Sequence, residues 1–240
     1  MIKKLTYPKV LLFDCFETII ENDILRWKQL FKKIISINNW DLDANDFWNL
    51  WKKYEVNFRK VRTNMKKIED SPVFKTYEKA WSDCFNIVFN ELKINGNSEE
   101  CAKLCIESMA QNEPYEDSIE ILNKLKSNHK IGVISNADND FLLPVLDKLC
   151  VSFDYILSSE NANCYKPNPN IFKKFIHQNK LDPKECWYIG DKEFDDVQGS
   201  SSVGMQPFLI NRRVYNEIKE FDNHIQISNL KQLYLKIKTI

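Results

Sequence analysis

Side chains that could do chemistry follow three short apolar runs of the sequence, at residues 9–13, 130–134 and 186–189. They are Asp14 after the first run, Ser135 and Asn136 after the second, and Asp191, Asp195 and Asp196 after the third. Because ligands of open α/β sheets bind beyond the carboxyl ends of the strands, we expect these groups to converge on one place. Lys166 falls on a predicted loop and is expected beside them.

Several carboxylates around a single lysine would repel one another if nothing else offset their charge. A hard cation such as Mg²⁺, held by carboxylates, a backbone carbonyl and water, would relieve that repulsion. The same ion would draw a phosphate group toward the site. Asp14 is also a reasonable nucleophile, since carboxylates form aspartyl-phosphate and alkyl-ester intermediates. These residue types therefore favour hydrolysis through an aspartate, with Mg²⁺ as the cofactor.

Two further apolar runs, at residues 155–157 and 206–210, complete a set of five predicted strands. Continuous apolar strands separated by helical stretches indicate a parallel sheet that is covered on both faces. We therefore predict a doubly wound, Rossmann-like α/β core. After the fifth strand, residues 225–227 are predicted as a last, edge strand and residues 230–237 as a closing helix.

The long interval between the first two strands has the pattern of helices. Apolar residues recur there at helical spacing, as in the series Ile24, Trp27, Phe31 and Ile34. Suitable helix N-caps are Asn22, Asp43, Ser71 and Ser98. We therefore predict an all-helical domain over residues 22–111, inserted into a core made of residues 1–21 and 112–240.

The balance of charge limits the possible partners. Lys+Arg and Asp+Glu both number 34, so the formal net charge is zero, which argues against a nucleic-acid or membrane-surface binder. No apolar run reaches the ~18 residues that a membrane span needs. The seven cysteines form no C-x-x-C pair, so we expect reduced thiols in a cytoplasmic protein. The expected partner is a small, anionic substrate, while the oligomeric state does not follow from the sequence.

Four segments of the chain together resemble the motifs of the haloacid dehalogenase (HAD) superfamily, in the subgroup with a helical cap after the first motif. The first is residues 11–18 (LLFDCFET), an apolar strand that leads into D-x-x-x-T. The others are residues 134–136 (ISN), residues 165–172 (YKPNPNIF) and residues 188–191 (YIGD) with the acidic pair that follows. Each segment alone is weakly specific, but all four occur in the order of the family.

The resemblance implies a role for each matched residue of the first three motifs. Asp14 would be the nucleophile, and Thr18 would support its loop. Ser135 would hold the transferred group, with the amide of Asn136 beside it. Lys166 would neutralise the nucleophile and the charge that develops during the reaction.

The fourth motif and the cap complete the implied site. Mg²⁺ would be bound by Asp14, Asp191 and Asp196, together with the backbone carbonyl of Phe16, while Asp195 is expected to be the extra acid of the pair. Arg59 and Arg62 lie at the end of the second predicted cap helix. They are candidates to bind an anionic part of the substrate.

One position departs from the pattern of the phosphatases in this family. They usually carry a second aspartate two residues after the nucleophile, which protonates the leaving group, and Phe16 occupies that position here. An aromatic residue there is similar to the haloacid dehalogenases, whose halide leaving group needs no proton and whose reaction needs no metal. The retained pair Gly190-Asp191 and Asp196 instead favour a metal site. Glu17 or a cap residue is a candidate for the missing acid.

Three interpretations follow from these motifs. The first is a Mg²⁺-dependent phosphatase of a small phosphorylated metabolite. The second is a metal-independent hydrolase of the 2-haloacid dehalogenase type, which acts through an aspartyl ester. The third is a protein that has kept the fold for binding and has little or no catalytic activity.

Overall fold

The apolar runs form strands of one sheet in the computed structural model, which describes residues 5–215 and 218–240. The strands are β1 (Val10–Phe13), β2 (Lys130–Ser135), β3 (Tyr155–Ser158), β4 (Cys186–Gly190), β5 (Gln206–Ile210), β6 (Lys219–Glu220) and β7 (Ile225–Ile227). Their order across the sheet is β3-β2-β1-β4-β5-β7-β6. Neighbouring strands are parallel, except that β6 runs antiparallel to β7. The predicted α/β fold class is therefore confirmed.

Helices connect the strands and cover the sheet. Five lie between β1 and β2, and they are α1 (Ile24–Asn38), α2 (Ala44–Val61), α3 (Tyr77–Leu92), α4 (Ser98–Met109) and α5 (Ser118–Lys126). The others are α6 (Asn139–Lys148), α7 (Ser159–Ala162), α8 (Pro169–Asn179), α9 (Gly199–Ser201) and α10 (Leu230–Lys238). A π-helical turn, Glu193–Gln198, leads directly into α9. No helix in the described part of the chain is both long and apolar enough to cross a bilayer.

The side chains of β1 alternate between the two faces of the sheet, as the pleat of a strand requires. Leu11 and Phe13 join a large apolar cluster that includes residues of α5, α6 and α10. Val10 and Leu12 join a second cluster with residues of α8. All four are buried. Because both faces are covered, β1 is held centrally, and its carboxyl end is fixed relative to β2 and β4 on either side.

The helical segment, defined as residues 24–109, packs around aromatic side chains. Phe85 of α3 is fully buried and contacts Phe31 of α1 and Trp51 of α2, with ring centroids 5.8 and 5.5 Å away. The same apolar cluster continues to the sheet, because Trp81 of α3 stacks on Phe141 of α6 at 5.9 Å. The division into an inserted domain (22–111) and a core (1–21 and 112–240) stays a prediction, and residues 1–4 and 216–217 lie outside the described part.

Some predicted boundaries were wrong. Residues 225–227 form a strand, but β6 pairs with its outer side, so β7 is not the edge of the sheet. Of the four proposed N-caps, Asp43 does accept hydrogen bonds from the first turn of its helix. The N-caps of the other three helices are Asp23, Thr76 and Asn97, each of which accepts a first-turn hydrogen bond. The observed N-cap lies one residue from the predicted one in α1 and α4, and five residues from it in α3.

A residue of the sheet layer also caps a helix of the helical segment. Asp138 lies before α6, yet its Oδ2 accepts a hydrogen bond of 2.9 Å from the backbone N–H of Glu78 in the first turn of α3. Asp138 is 4% exposed, and its other oxygen has no hydrogen-bond partner. Burial raises the pKa of Asp138 to about 6, although the backbone N–H groups of Tyr77 and Glu78 act to lower it. The junction between α3 and α6 thus contains a titratable group.

We expect Phe85→Ala to lower the free energy of unfolding by about 3–5 kcal/mol, because it leaves a cavity in a packed aromatic cluster. The measurement is urea unfolding followed by tryptophan fluorescence. Ile87 lies on the same helix and is 44% exposed, so Ile87→Ala is the matched control and should cost less than ~1 kcal/mol. Equal losses for the two variants would contradict the packing described above.

We expect Asp138→Asn to gain stability relative to the unchanged protein as the pH rises from 4.5 to 7.5. The folded-state pKa of about 6 lies above the ordinary value of 3.8, so the folded protein loses stability as the pH rises through this window. The amide stays neutral and still offers an acceptor to Glu78. The free energy of unfolding of Asp138→Asn, relative to that of the unchanged protein, should increase by ~2 kcal/mol between pH 4.5 and pH 7.5.

The control for this measurement is Asp140→Asn, which changes an exposed acid of the same helix and should show no such pH dependence. Asp191 and Asp196 titrate in the same range in all three proteins, so their contribution cancels in the comparison. A stability difference for Asp138→Asn that is equal at both pH values would show that this carboxyl is not perturbed.

Candidate active site

Asp14 lies directly after β1, and its backbone N–H donates to the carbonyl of Ile189 in β4 at 2.8 Å. Its side chain meets groups from two other parts of the sheet edge. Ser135 at the end of β2 donates from Oγ to Asp14 Oδ1 at 2.8 Å, and Lys166 Nζ lies 2.8 Å from the same oxygen. The structure thus brings together the three residues that were predicted to be catalytic. Both donors contact Oδ1, so neither of them engages the other oxygen of Asp14.

Lys166 is 1% exposed, and each of its three N–H donors has an acceptor. The acceptors are Oδ1 of Asp14, Oδ1 of Asp196 at 2.6 Å and the hydroxyl of Tyr188 at 2.8 Å. Burial alone would lower the pKa of Lys166, but the charges of Asp14 and Asp196 outweigh it and raise the pKa well above its usual value. The ammonium therefore stays charged.

Asn136 fixes the loop that carries this lysine. Its Oδ1 accepts the backbone N–H of Lys166 at 2.7 Å, and its Nδ2 donates to the Lys166 carbonyl at 3.1 Å. The amide side chain is therefore engaged with the backbone in the structure. Its predicted contact with the substrate stays a prediction.

The carboxylates of Asp14, Asp191 and Asp196 each place one oxygen within 4.8 Å of the others. Burial and the charge of Asp14 raise the pKa of Asp191 to about 6. Burial, followed by the charges of Asp14 and Asp191, raises the pKa of Asp196 to about 7, although Lys166 opposes this. Lys166, together with the half-exposed Lys192 that pairs with Asp191, leaves these three acids incompletely compensated, so the cluster fits a divalent cation bound through oxygen ligands.

Gly190 is required for this packing. A Cβ atom at position 190 would lie 2.3 Å from Cγ of Asp196, which is closer than two carbon atoms can approach. The backbone of Lys192 also binds Asp196, donating its N–H to Oδ2 at 2.9 Å. The absence of a Cβ atom at Gly190 therefore lets the side chain of Asp196 lie against the end of β4.

The loop after Asp14 presents a phenyl ring and a glutamate to the cavity above the site. The ring of Phe16 lies 5.5 Å from that of Phe141, and Glu17, at φ 61°, also lines the cavity. Thr18 is fully buried, and its carbonyl accepts hydrogen bonds from the guanidinium of Arg212. Thr18 therefore anchors the loop through its backbone. The role of the Phe16 carbonyl as a metal ligand stays a prediction.

A cavity of about 150 Å³ lies between the strand ends and the helical segment. Arg59 and Arg62 both line it, and their predicted contact with the substrate stays a prediction. Arg62 is buried, donates to the hydroxyl of Tyr77 at 2.6 Å and lies 3.0 Å from Oδ2 of Asp195. Asp195 thus joins the fourth motif to the end of α2 and stands outside the acidic cluster.

Sequence reasoning missed several residues of the site. Tyr188 binds Lys166 and donates to the carbonyl of Ile134 at 2.6 Å. Tyr188 was read only as part of the fourth motif, and no sequence signal indicated that its hydroxyl reaches across β1 to β2. Glu55 and Lys52 on α2 also line the cavity, and their helical spacing gave no signal of that.

The comparisons with known proteins include both phosphatases and dehalogenases. Haloacid dehalogenase-like hydrolase domain-containing protein 3 from Mus musculus is 37% identical over 83 residues, which cover 34% of this chain and 33% of the relative. Glyceraldehyde 3-phosphate phosphatase from Pyrococcus furiosus is 31% identical over 85 residues, 34% and 35% of the two chains. (S)-2-haloacid dehalogenase 4A from Burkholderia cepacia is 29% identical over 125 residues, 50% and 53%. The matches thus span about a third to a half of the length of these curated relatives.

Solved structures resemble nearly the whole chain. A HAD-hydrolase from Bacillus subtilis, YfnB, bound to magnesium, has a TM-score of 0.77 at 16% identity, with 97% of this chain and 100% of that chain covered. An L-2-haloacid dehalogenase from Xanthobacter autotrophicus with chloropropionic acid covalently bound has a TM-score of 0.72 at 14% identity, with 97% and 99% covered. At these identities the likeness shows the fold alone.

A family model described as "Haloacid dehalogenase-like hydrolase" matches residues 40–210. That range is well over half of the 240 residues and includes the second, third and fourth motifs. The chain belongs to the haloacid dehalogenase-like hydrolases.

Proposed function

We propose that this hydrolase is a Mg²⁺-dependent phosphatase of a small phosphorylated metabolite, with Asp14 as the nucleophile and the helical segment as a cap over the site. The observation that carries the proposal is the group of three carboxylates, from Asp14, Asp191 and Asp196, around the buried Lys166. Such a group suits a divalent cation and a phosphate better than a neutral carbon–halogen substrate.

The reaction has two steps. The free oxygen of Asp14 attacks phosphorus, the bond from phosphorus to the leaving oxygen breaks, and an aspartyl phosphate forms. A water then attacks the same phosphorus and gives its proton to the group that protonated the leaving oxygen; the bond from phosphorus to Asp14 breaks, which restores the carboxylate and releases phosphate. Ser135 and Lys166 hold Oδ1 throughout, so the reactive oxygen keeps its orientation. The charge on Lys166 offsets the negative charge that builds up on the transferred group.

The residues that would hold Mg²⁺ are Asp14, Asp191 and Asp196, with the backbone carbonyl of Phe16 as a further predicted ligand. When bound, the ion supplies charge neutralisation and polarisation of the phosphate. Lys192 forms an ion pair with Asp191 and lies 52% exposed at the rim of the cavity. It contributes positive charge near the position where the phosphate enters.

The proton for the leaving group needs a source other than Phe16. Glu17 is the adjacent acid, lines the same cavity and lies on the loop that also carries Asp14. Its left-handed backbone, at φ 61°, accompanies a hydrogen bond of 2.7 Å from its N–H to the carbonyl of Ile20. Because Glu17 lines the cavity together with Asp14, we assign Glu17 as the general acid.

A second candidate function is hydrolysis of a 2-haloacid through an aspartyl ester. The specific observation in its favour is Phe16, whose ring lines the cavity and packs on Phe141, where a phosphatase would carry an acid. Arg59 would receive the anionic part of such a substrate. This chemistry would need neither the acidic cluster nor a general acid.

We expect p-nitrophenyl phosphate to be hydrolysed with Mg²⁺ present and not after chelation, because the three carboxylates need the cation to accept a phosphate. Asp14→Asn should lower the rate by at least ~10³-fold, because the amide keeps the shape but removes the nucleophile. Phosphate release is measured beside chloride release from 2-chloropropionate in the same preparations.

Each outcome of this assay selects one function. Chloride release that is insensitive to chelation and lost in Asp14→Asn would replace the phosphatase with the dehalogenase. Phosphate release that survives Asp14→Asn would contradict the role of Asp14 in either. Turnover of neither substrate class, across a broad panel, would indicate the third interpretation, a binding protein with this fold.

We expect Glu17→Gln to slow hydrolysis of alkyl phosphates by ~10²–10⁴-fold, because an alkoxide needs a proton to leave. Hydrolysis of p-nitrophenyl phosphate should change much less, since p-nitrophenolate is a weak base. Glu21→Gln alters an exposed glutamate four residues further on and should leave both rates unchanged. Equal rates for Glu17→Gln and the unchanged protein on an alkyl phosphate would remove Glu17 from this role.

A further inference from the structure

Arg62, the C-cap of α2, connects the helical segment to the sheet side of the cavity. It is 7% exposed, and its Nη1 donates to the hydroxyl of Tyr77 in α3 at 2.6 Å. Its Nη2 donates to Oδ2 of Asp195 on the sheet side at 3.0 Å. The guanidinium carbon also lies 4.5 Å from the ring centre of Tyr165, within the range of a cation–π contact. One side chain of the helical segment therefore contacts α3 and two separate segments of the sheet side.

Both sheet-side partners of Arg62 are chain neighbours of site residues. Tyr165 immediately precedes Lys166, and Asp195 immediately precedes Asp196. Lys166 and Asp196 in turn form a buried ion pair of 2.6 Å. Adjacent Cα atoms are held about 3.8 Å apart by a trans peptide bond, so a shift of either partner also moves the residue beside it. The position of Arg62 is thereby linked to both members of the ion pair.

A second connection passes through the side chain of Asn136. Its Nδ2 lies 3.4 Å from Oδ2 of Asp195, which is the oxygen that Arg62 also contacts. The amide oxygen of Asn136 accepts the backbone N–H of Lys166 at 2.7 Å. A continuous series of hydrogen bonds therefore leads from the guanidinium to the backbone of the catalytic lysine.

Tyr165 takes its position from the helical segment. It is 3% exposed, and its hydroxyl donates to the backbone carbonyl of Lys75, in the loop before α3. Its ring packs on those of Phe74 and Tyr77, with centroids 4.9 and 5.7 Å away. The residue directly before Lys166 is thus packed among side chains of the helical segment as well as beside Arg62.

The two arginines of the cavity differ in what they connect. Arg59 pairs at 2.8 Å with Glu55 of its own helix, and its side chain is 36% exposed. The side chain of Arg62 is 4% exposed and pairs with Asp195, which lies 133 residues further along the chain. A buried guanidinium whose donors already bind Tyr77 and Asp195 suits a link between two parts of the fold better than a contact with substrate.

We propose that Arg62 is a positioning residue rather than a substrate ligand. Through Tyr165 and Asp195 it sets the positions of Lys166 and Asp196, which are next to them in the chain. The inference rests on the proposed hydrolysis at this site and applies to either leaving group, because Lys166 pairs with the nucleophile in both reactions. A misplacement of ~1 Å at a reacting group can cost ~10²-fold in rate, so loss of the link should slow the chemical step.

The first test is a double-mutant cycle between Arg62 and Asp195, with p-nitrophenyl phosphate and Mg²⁺ as the assay. Arg62→Met removes the guanidinium but keeps an unbranched chain, and Asp195→Ala removes its partner. We expect each variant to lower kcat by tenfold or more, with less than a threefold change in KM. The double variant should be no slower than the slower single variant, because both substitutions break the same contact.

The matched control is a second ion pair of the helical segment. Lys67 and Asp70 lie 2.7 Å apart, are both more than half exposed and do not line the cavity. Lys67→Met and Asp70→Ala should leave kcat and KM unchanged.

Three kinetic results would overturn the proposal. A tenfold rise in KM for Arg62→Met, with kcat retained and Asp195→Ala unaffected, would make Arg62 a substrate ligand. Losses of kcat that multiply in the double variant would show that the two residues act independently. Unchanged kinetics in both single variants would show that the link does not position the site.

The second test is hydrogen exchange measured by mass spectrometry, which needs no turnover. We expect the peptide that contains the Lys166 N–H to exchange fivefold faster or more in Arg62→Met and Asp195→Ala, because its bond to Asn136 is loosened. Peptides of β2 should exchange as in the unchanged protein, which separates a local effect from general destabilisation. Unchanged exchange at Lys166, or an equal increase in β2, would contradict the proposal.

The outcomes separate this inference from the proposed function. If the unchanged protein hydrolyses 2-chloropropionate and not p-nitrophenyl phosphate, the phosphatase function falls and the same cycle is measured by chloride release. If it hydrolyses neither, the proposed function falls, and the exchange at Lys166 still decides whether Arg62 positions this residue. An active protein whose variants keep kcat overturns this inference alone.

Discussion

The ammonium of Lys166 is the interaction on which the rest of the site depends. It lies fully buried between Asp14 and Asp196, and a buried charge is tolerated only when it is paired and hydrogen-bonded. Its position follows from Asn136, which holds its backbone, and from Tyr188, which takes its third hydrogen bond. Loss of any of these partners would leave a charge unpaired in a place from which water is excluded. Asp14, the second motif and the fourth motif are thereby held together as one unit.

The helical segment shares its apolar core with the sheet, and this closes the site. Trp81 stacks on Phe141, and polar contacts seal the same junction, among them Asp138 with α3 and Arg62 with Asp195. Burial strengthens each electrostatic interaction inside the site, because the effective dielectric constant falls. The raised pKa values of Asp191 and Asp196 have the same cause, since burial is the largest contribution to both.

The parts of the molecule that could be predicted are those that depend on local sequence. Apolar runs that end in polar or acidic residues predicted the strands. The carboxyl ends of β1, β2 and β4 do meet, at Asp14, Ser135 and Asp191. The α/β fold and the closeness of these groups could therefore be predicted from the sequence pattern. Contacts between distant segments could not be predicted. Asp138 looks like the N-cap of its own helix but binds α3, because the approach of the two helices is set by packing that no local pattern records.

Phe16 has a packing role at the position where the phosphatases of this family usually carry an aspartate. Its ring packs on Phe141, and Phe141 in turn contacts Tyr77 and Trp81 of the helical segment at 5.9 Å each. Phe16 therefore links the loop after Asp14 to the helices over the site, which an aspartate at this position would not do. The contacts of Asp14 with Ser135 and Lys166 do not involve the side chain at position 16. A packing residue can therefore occupy this position without disturbing the group around Lys166.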